Sequence, residues 1–246
     1  MLLLPEDHPT AVALSAAITG GHVDQLERLL AESPELAVAR VVDARGVARS
    51  TLHLATDWPG HFPHVARTIA VLARAGADVG AVVQHPVRQE SRETPLHWAA
   101  SSNDVAALEA LLAHGADLEA PGAVFTGGPA MSDAVVFAQW DAARLLLARG
   151  ARTTVWQSAA LGLLDRVVAA CEGDVPPDPA QLTNAFWHAC RGGARATAEY
   201  LLAKGADANW VGYDNRTALD AAREGGAHAL AEWLAEIGGR AAADAR

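Results

Sequence analysis

Apolar and polar positions fall along this chain in short helical blocks that close in one recurring way. The run Val105-Ala-Ala-Leu-Glu-Ala-Leu-Leu-Ala-His-Gly-Ala-Asp117 ends in Gly-Ala-Asp, and Leu72-Ala-Arg-Ala-Gly-Ala-Asp78 and Leu201-Leu-Ala-Lys-Gly-Ala-Asp207 end likewise. Leu146-Leu-Ala-Arg-Gly-Ala151 keeps most of the phrase. A glycine at such a point supplies the left-handed residue that stops a helix, so Gly76, Gly115, Gly150 and Gly205 predict helix ends. Upstream of each run stands a second block: Ser50-Thr-Leu-His-Leu-Ala55, Thr94-Pro-Leu-His-Trp-Ala-Ala100, Pro129-Ala-Met-Ser-Asp-Ala134 and Asn184-Ala-Phe-Trp-His-Ala189. Thr217-Ala-Leu-Asp-Ala-Ala222 leads to Trp233-Leu234 in the same manner. A threonine hydroxyl caps a helix and proline suits its first turn, so each block predicts a first helix paired with the run that follows.

Thr94-Pro-Leu-His-Trp-Ala-Ala100 with its following helix resembles the ankyrin repeat family, whose T-P-L-H-x-A signature it carries. Weaker copies open the chain, from Leu14 to Leu30, and lie between Thr153 and Cys171. The resemblance implies an all-α solenoid of stacked helix-turn-helix units with hairpin loops. It also implies one domain over 1–246, with seven repeats near 10–40, 43–78, 91–117, 126–151, 152–173, 180–207 and 214–238. A single unit cannot bury its own apolar face, so stability has to come from stacking. At the signature position, His53 and His97 are expected to bond turn backbone, and Trp156 and Trp187 replace that histidine. The resemblance further implies a noncatalytic binding protein that meets its partner, usually a protein, along a concave groove and the hairpin tips.

Departures from the repeat point to specialisation. Gly205 and Thr217 stand 12 positions apart, the family spacing, whereas Gly76 and Thr94 are 18 apart and Gly150 and Thr153 only 3. The loop 79–93 is therefore lengthened, and the hairpin after Gly150 is nearly deleted. Asp57-Trp-Pro-Gly-His-Phe-Pro-His64 enlarges a turn, and Glu172-Gly-Asp-Val-Pro-Pro-Asp-Pro179 is a Pro-rich connection. The paths of 79–93 and 121–128 do not follow from the pattern. Irregular loops on a rigid scaffold often carry function.

By the resemblance, the residue after the signature histidine faces the groove, as do those three and four further on. Trp98, Asp133, Gln157 and His188 hold the first of these positions. Asp57, Trp58, Ser101, Ser102, Val136, Phe137, Leu161 and Arg191 hold the others. Phe125, Trp210 and Tyr213 border the surface from loops. The expected lining is apolar and aromatic with Asp133, His188 and Arg191 set among it, and aromatic anchors suit an interface. Trp140 and Trp233 are expected in the core.

Composition narrows the chemistry. The formal net charge of −10 disfavours nucleic acid and favours a partner with a basic or aromatic-seeking surface. Two cysteines, Cys171 and Cys190, make no disulfide framework and suggest a reducing, cytoplasmic setting. No stretch approaches the roughly 20 apolar residues of a membrane span, and Met1-Leu-Leu-Leu-Pro5 lacks the basic start of a secretory signal. Lys204 is the only lysine, a bias that suits a GC-rich bacterial genome. His53, Asp57, His61 and His64 are the densest set of possible metal ligands, but their spacing is not a zinc pattern, and no metal or cofactor is expected. The alternative function is a small-molecule binder or unusual enzyme, of the kind found in specialised metabolism, built on a Trp-lined centre. Asp133 and His188 would be its catalytic candidates and Arg191 a ligand contact.

Overall fold

The computed structural model describes residues 2–88 and 92–244. Residues 89–91 of the lengthened loop, and the chain ends Met1, Ala245 and Arg246, lie outside the described residues. The chain divides into two compact units, Met1–Ala151 and Arg152–Arg246.

The first unit is built from short paired helices: α1 (Pro9–Thr19) with α2 (Val23–Glu32), and α3 (Thr51–Thr56) with α4 (Val65–Arg74). The series continues with α5 (Pro95–Ser101) and α6 (Val105–Ala113), then α7 (Ala130–Val136) and α8 (Trp140–Ala148). First helices pack on first helices, α3 on α5 and α5 on α7, and second helices on second helices, α4 on α6 and α6 on α8. Alanines such as Ala99, Ala100, Ala130 and Ala134 are fully buried there, and their small side chains let neighbouring backbones approach. The predicted helix-ending glycines of this unit, Gly76, Gly115 and Gly150, all have φ between 90° and 98°.

A small sheet departs from the all-helical expectation. Strands β1 (Leu3–Pro5), β2 (Arg40–Val42) and β3 (Ala48–Ser50) pair in that order, β1 parallel to β2 and β2 antiparallel to β3. The hairpin turn is held by Asp43, whose carboxylate accepts from the Arg45 and Val47 N–H groups. The start of the lengthened loop also pairs here, since Ala48 and Gln84 exchange backbone hydrogen bonds of 2.8 and 3.1 Å.

The second unit contains α9 (Val155–Ala160), α10 (Leu164–Glu172), α11 (Pro179–Arg191), α12 (Arg195–Ala203), α13 (Ala218–Glu224) and α14 (His228–Glu236). Its core gathers Phe186, Trp187, Cys190, Val167, Leu201 and Leu234. Helix α11 is 13 residues long because the Pro-rich connection ends in Asp178, whose carboxylate caps Gln181 while Gln181 returns a bond to the Asp178 N–H. Both cysteines are free, Cys190 buried and Cys171 half-buried. Trp140 and Trp233 are half-buried, and Trp233 packs against the core of the second unit. Trp233 also carries the Arg195 guanidinium 5.5 Å from its ring centroid. No helix among the described residues is long and apolar enough to cross a membrane.

Candidate functional site

The signature position shows how the scaffold sets its contact surface. His53 Nε2 donates to the Glu93 carbonyl at 3.1 Å and His97 Nε2 to the Gly128 carbonyl at 3.2 Å. A carbonyl only accepts, so Nε2 carries the proton and Nδ1 is the acceptor. Nδ1 of His53 takes the Ser50 hydroxyl at 2.7 Å, and Nδ1 of His97 takes the Thr94 hydroxyl and N–H. Burial lowers both pKa values, that of His53 to about 3, which keeps the rings neutral for this double role. In the second unit Trp187 Nε1 donates to the Arg216 carbonyl at 3.0 Å. The accepting residue again stands just before the next helix cap, Thr217. Each ring thus ties a first helix to the loop of the following repeat.

One register assignment changes. Helix α9 is capped by Thr154, not Thr153, and Gln157 fills the third helical position, with its Oε1 accepting from the Thr154 N–H at 2.8 Å. Gln157, not Trp156, therefore takes the signature role, and Ser158 takes the position that follows. Gln157 is buried in the capping box rather than presented to a groove. Two adjacent threonines made the cap ambiguous in sequence, and only the backbone geometry chooses between them.

In the first unit the remaining candidates divide by exposure. Trp98 is half-buried and meets His53 edge-on, with ring centroids 4.8 Å apart. Ser101 and Ser102 turn their hydroxyls onto the Trp98 carbonyl at 2.9 and 3.0 Å, so their polar tips are used within α5. Asp57 accepts from Arg49 at 2.6 Å, and Trp58 is 85% exposed. The insertion carrying them is moored by the His61 N–H, which donates to Asp104 at 2.7 Å, and by His61 Nε2, which donates to the Ser102 carbonyl. His53, Asp57 and His61 are thus committed to separate partners, and no group fit to hold a metal ion occurs among the described residues. Phe125 and Phe137 lie 5.9 Å apart and are 71% and 39% exposed, with Val136 half-buried beside them.

Asp133 is not a surface ligand. It is 1% exposed, and neither carboxylate oxygen has a hydrogen bond of good geometry. Burial raises its pKa to about 7, the Glu93 charge adds to the rise, and the Val124 backbone N–H opposes it.

In the second unit an aromatic chain surrounds His188, itself 4% exposed with Nδ1 unpartnered. Trp156 lies 4.7 Å from the His188 ring, Trp187 5.0 Å and Tyr213 5.8 Å. Tyr213 also meets Trp187 at 5.5 Å and Trp210 at 5.8 Å. Burial, helped by the Arg191 charge, depresses the His188 pKa to about 3. Arg191 lies 5.6 Å over the Trp187 ring. Leu161 is half-buried on the turn after α9. The structure thus brings His188, Arg191, Trp210 and Tyr213 together and adds Trp156 and Trp187, which sequence reasoning assigned to the scaffold. Asp133 belongs to the first unit and His188 to the second.

Residues 91–123 match the family model described as "Ankyrin repeat". No curated protein matches the chain in sequence. Among solved structures the chain is similar to the human ASB11 ankyrin repeat domain, at 21% identity and a TM-score of 0.51, over 90% of this chain and 96% of that one. That likeness is one of fold. With its paired helices and carbonyl-bonding rings, the chain carries an ankyrin repeat at residues 91–123 and has the fold of an ankyrin repeat domain.

Proposed function

We propose that the chain is a noncatalytic recognition module that binds a segment of a partner protein through its aromatic surface positions. Ankyrin repeats generally mediate protein–protein interaction. The observation that carries the reading for this chain is the linked set Trp156, His188, Tyr213 and Trp210, with Tyr213 53% exposed and Trp156 and Trp210 half-buried. Rings held by other rings are pre-organised and lose little freedom when a partner covers them. Phe125 and Phe137 offer a smaller surface of the same kind in the first unit. The chain's acidic charge would steer basic partners and repel phosphate backbones.

The test is capture of a partner from the native organism, followed by titration of the purified pair. Tyr213→Ala with Trp210→Ala should weaken binding by about tenfold or more, the cost of truncating central aromatic anchors. Phe125→Ala with Phe137→Ala should weaken it less. Unchanged affinity in both pairs of variants sinks the assignment of these surfaces.

A further inference from the structure

A pocket of about 250 Å³ opens beside the loop joining α6 to α7, lined by Arg88, Arg92 and the segment from Gly122 to Phe125. Its walls are held in place by the backbone. The Gly122 N–H is shared between the Gly127 and Gly128 carbonyls at 3.1 and 2.9 Å, and the Gly127 N–H returns to the Ala123 carbonyl at 2.7 Å. Gly122 has φ 155°, and a Cβ there would come within 2.3 Å of the Arg92 carbonyl oxygen. The loop therefore lies directly on the Arg92 backbone, and only glycine permits the approach. On the other side His85 Nδ1 accepts from the Val87 and Arg88 N–H groups at 3.1 and 3.0 Å, which shapes the turn that carries Arg88.

Among the described residues neither Arg88 nor Arg92 has an ion pair, whereas Arg49, Arg67, Arg144, Arg149 and Arg195 each reach a carboxylate. In a chain of formal charge −10, these two cations line one pocket that has no acid among its described lining residues. We propose that this pocket binds an oxyanion, the phosphate monoester or carboxylate of a partner segment whose apolar part covers Phe125 and Phe137. The proposal rests on the recognition function above and specifies part of the partner's chemistry. A guanidinium receives either oxyanion through paired N–H donors, and two of them match the double charge of a phosphate monoester. The volume falls just below the range of about 300–1,000 Å³ usual for whole small-molecule ligands, which suits a single anionic group. Phe125 lines the same pocket and touches Phe137, so the anion and the apolar contact are adjacent.

The experiment is titration of the full chain with phenyl phosphate and, separately, benzoate, following the backbone amide resonances of Gly122, Phe125 and Gly127. Saturable shifts at these amides are expected with at least one probe. The apparent affinity should fall about tenfold or more in the double variant Arg88→Gln, Arg92→Gln, since each charge-assisted bond is among the stronger hydrogen bonds. Arg67→Gln, whose parent residue pairs with Asp24, should bind as the wild type does. Response to phenyl phosphate alone identifies the phosphate source, and response to benzoate alone the carboxylate. Absence of saturable shifts with both probes, or equal affinity in a double variant with unchanged melting temperature, overturns the pocket. A partner that still weakens on Phe125→Ala with Phe137→Ala would leave the recognition function standing without it.

Discussion

The two units make the same link between neighbouring repeats with different rings, and the difference follows from where each helix begins. In α5, His97 is the third helical residue, so its imidazole serves two ends: Nδ1 receives the Thr94 cap and Nε2 reaches the Gly128 carbonyl. Helix α11 begins at Pro179, well before Trp187, and Asp178 with Gln181 caps it. An indole has one N–H and no acceptor. At position 187 no cap remains to be served, so the single donor suffices to reach Arg216. A helix extended at its start relieves the signature histidine of half its work and frees the position for a large ring. That ring then becomes the floor of an aromatic cluster.

This comparison is open to breakage. The largest expected effect is at His97: His97→Ala strands the buried Thr94 N–H and Gly128 carbonyl and should cost about 3 kcal/mol in urea unfolding. Trp187→Phe keeps the ring and loses one hydrogen bond, and should cost about 1–2 kcal/mol. Equal losses at the two positions would contradict the division of labour drawn above.

The position after the signature residue sharpens the contrast, Asp133 following Ser132 and His188 following Trp187. Asp133 and His188 are both buried, and burial favours the neutral form of each, with pKa shifts of opposite sign. The folded-state pKa of Asp133, about 7, stands above the ordinary 3.8. Its contribution is most favourable below the ordinary value and is lost as pH rises toward 7. Asp133→Asn should therefore match the wild type near pH 4 and exceed it by on the order of 2–4 kcal/mol at pH 8. A constant difference across that range would show that the carboxyl is not held protonated. For His188 the folded value, about 3, stands below the ordinary 6.5. Its contribution is present above the ordinary value and is lost as pH falls toward 3. His188→Leu should resist acid better than the wild type between pH 6.5 and 3, by on the order of 1–3 kcal/mol at the lower end. Parallel stability curves for variant and wild type would refute it.

The smallest effect is expected on the outer face of α12. Arg195→Ala removes an exposed pair with Glu199 and the contact over Trp233, and thermal melting should register no more than about 1 kcal/mol.

Much of the architecture was legible in the chain because the signals were local and repeated. The Gly-Ala-Asp endings placed helix ends, and Thr94 and Thr217 placed helix starts. What escaped was decided by one-residue choices or by distant partners. Thr153 and Thr154 compete for one cap, and the choice moves Gln157 from a groove position to a capping box. The strands at Leu3–Pro5 and Arg40–Val42 are too short to show an alternating pattern. Trp98 and Phe137 remain partly exposed as the repeat register implied, but the same register placed Asp133 at the surface, and the 121–128 loop that accompanies its burial follows no repeat rule. Arg88 and Arg92 gave no signal, since two arginines in a loop have no spacing rule.

The sequence by itself determined the paired helices, their caps and the ring positions that tie one repeat to the next, because each depends on residues within a few positions of one another. Only the tertiary structure decided which of those rings stay exposed, that Asp133 is sealed from water, and that two loop arginines line one pocket. Those outcomes depend on which distant segment lies over a side chain, and desolvation and charge pairing respond to that cover rather than to order along the chain.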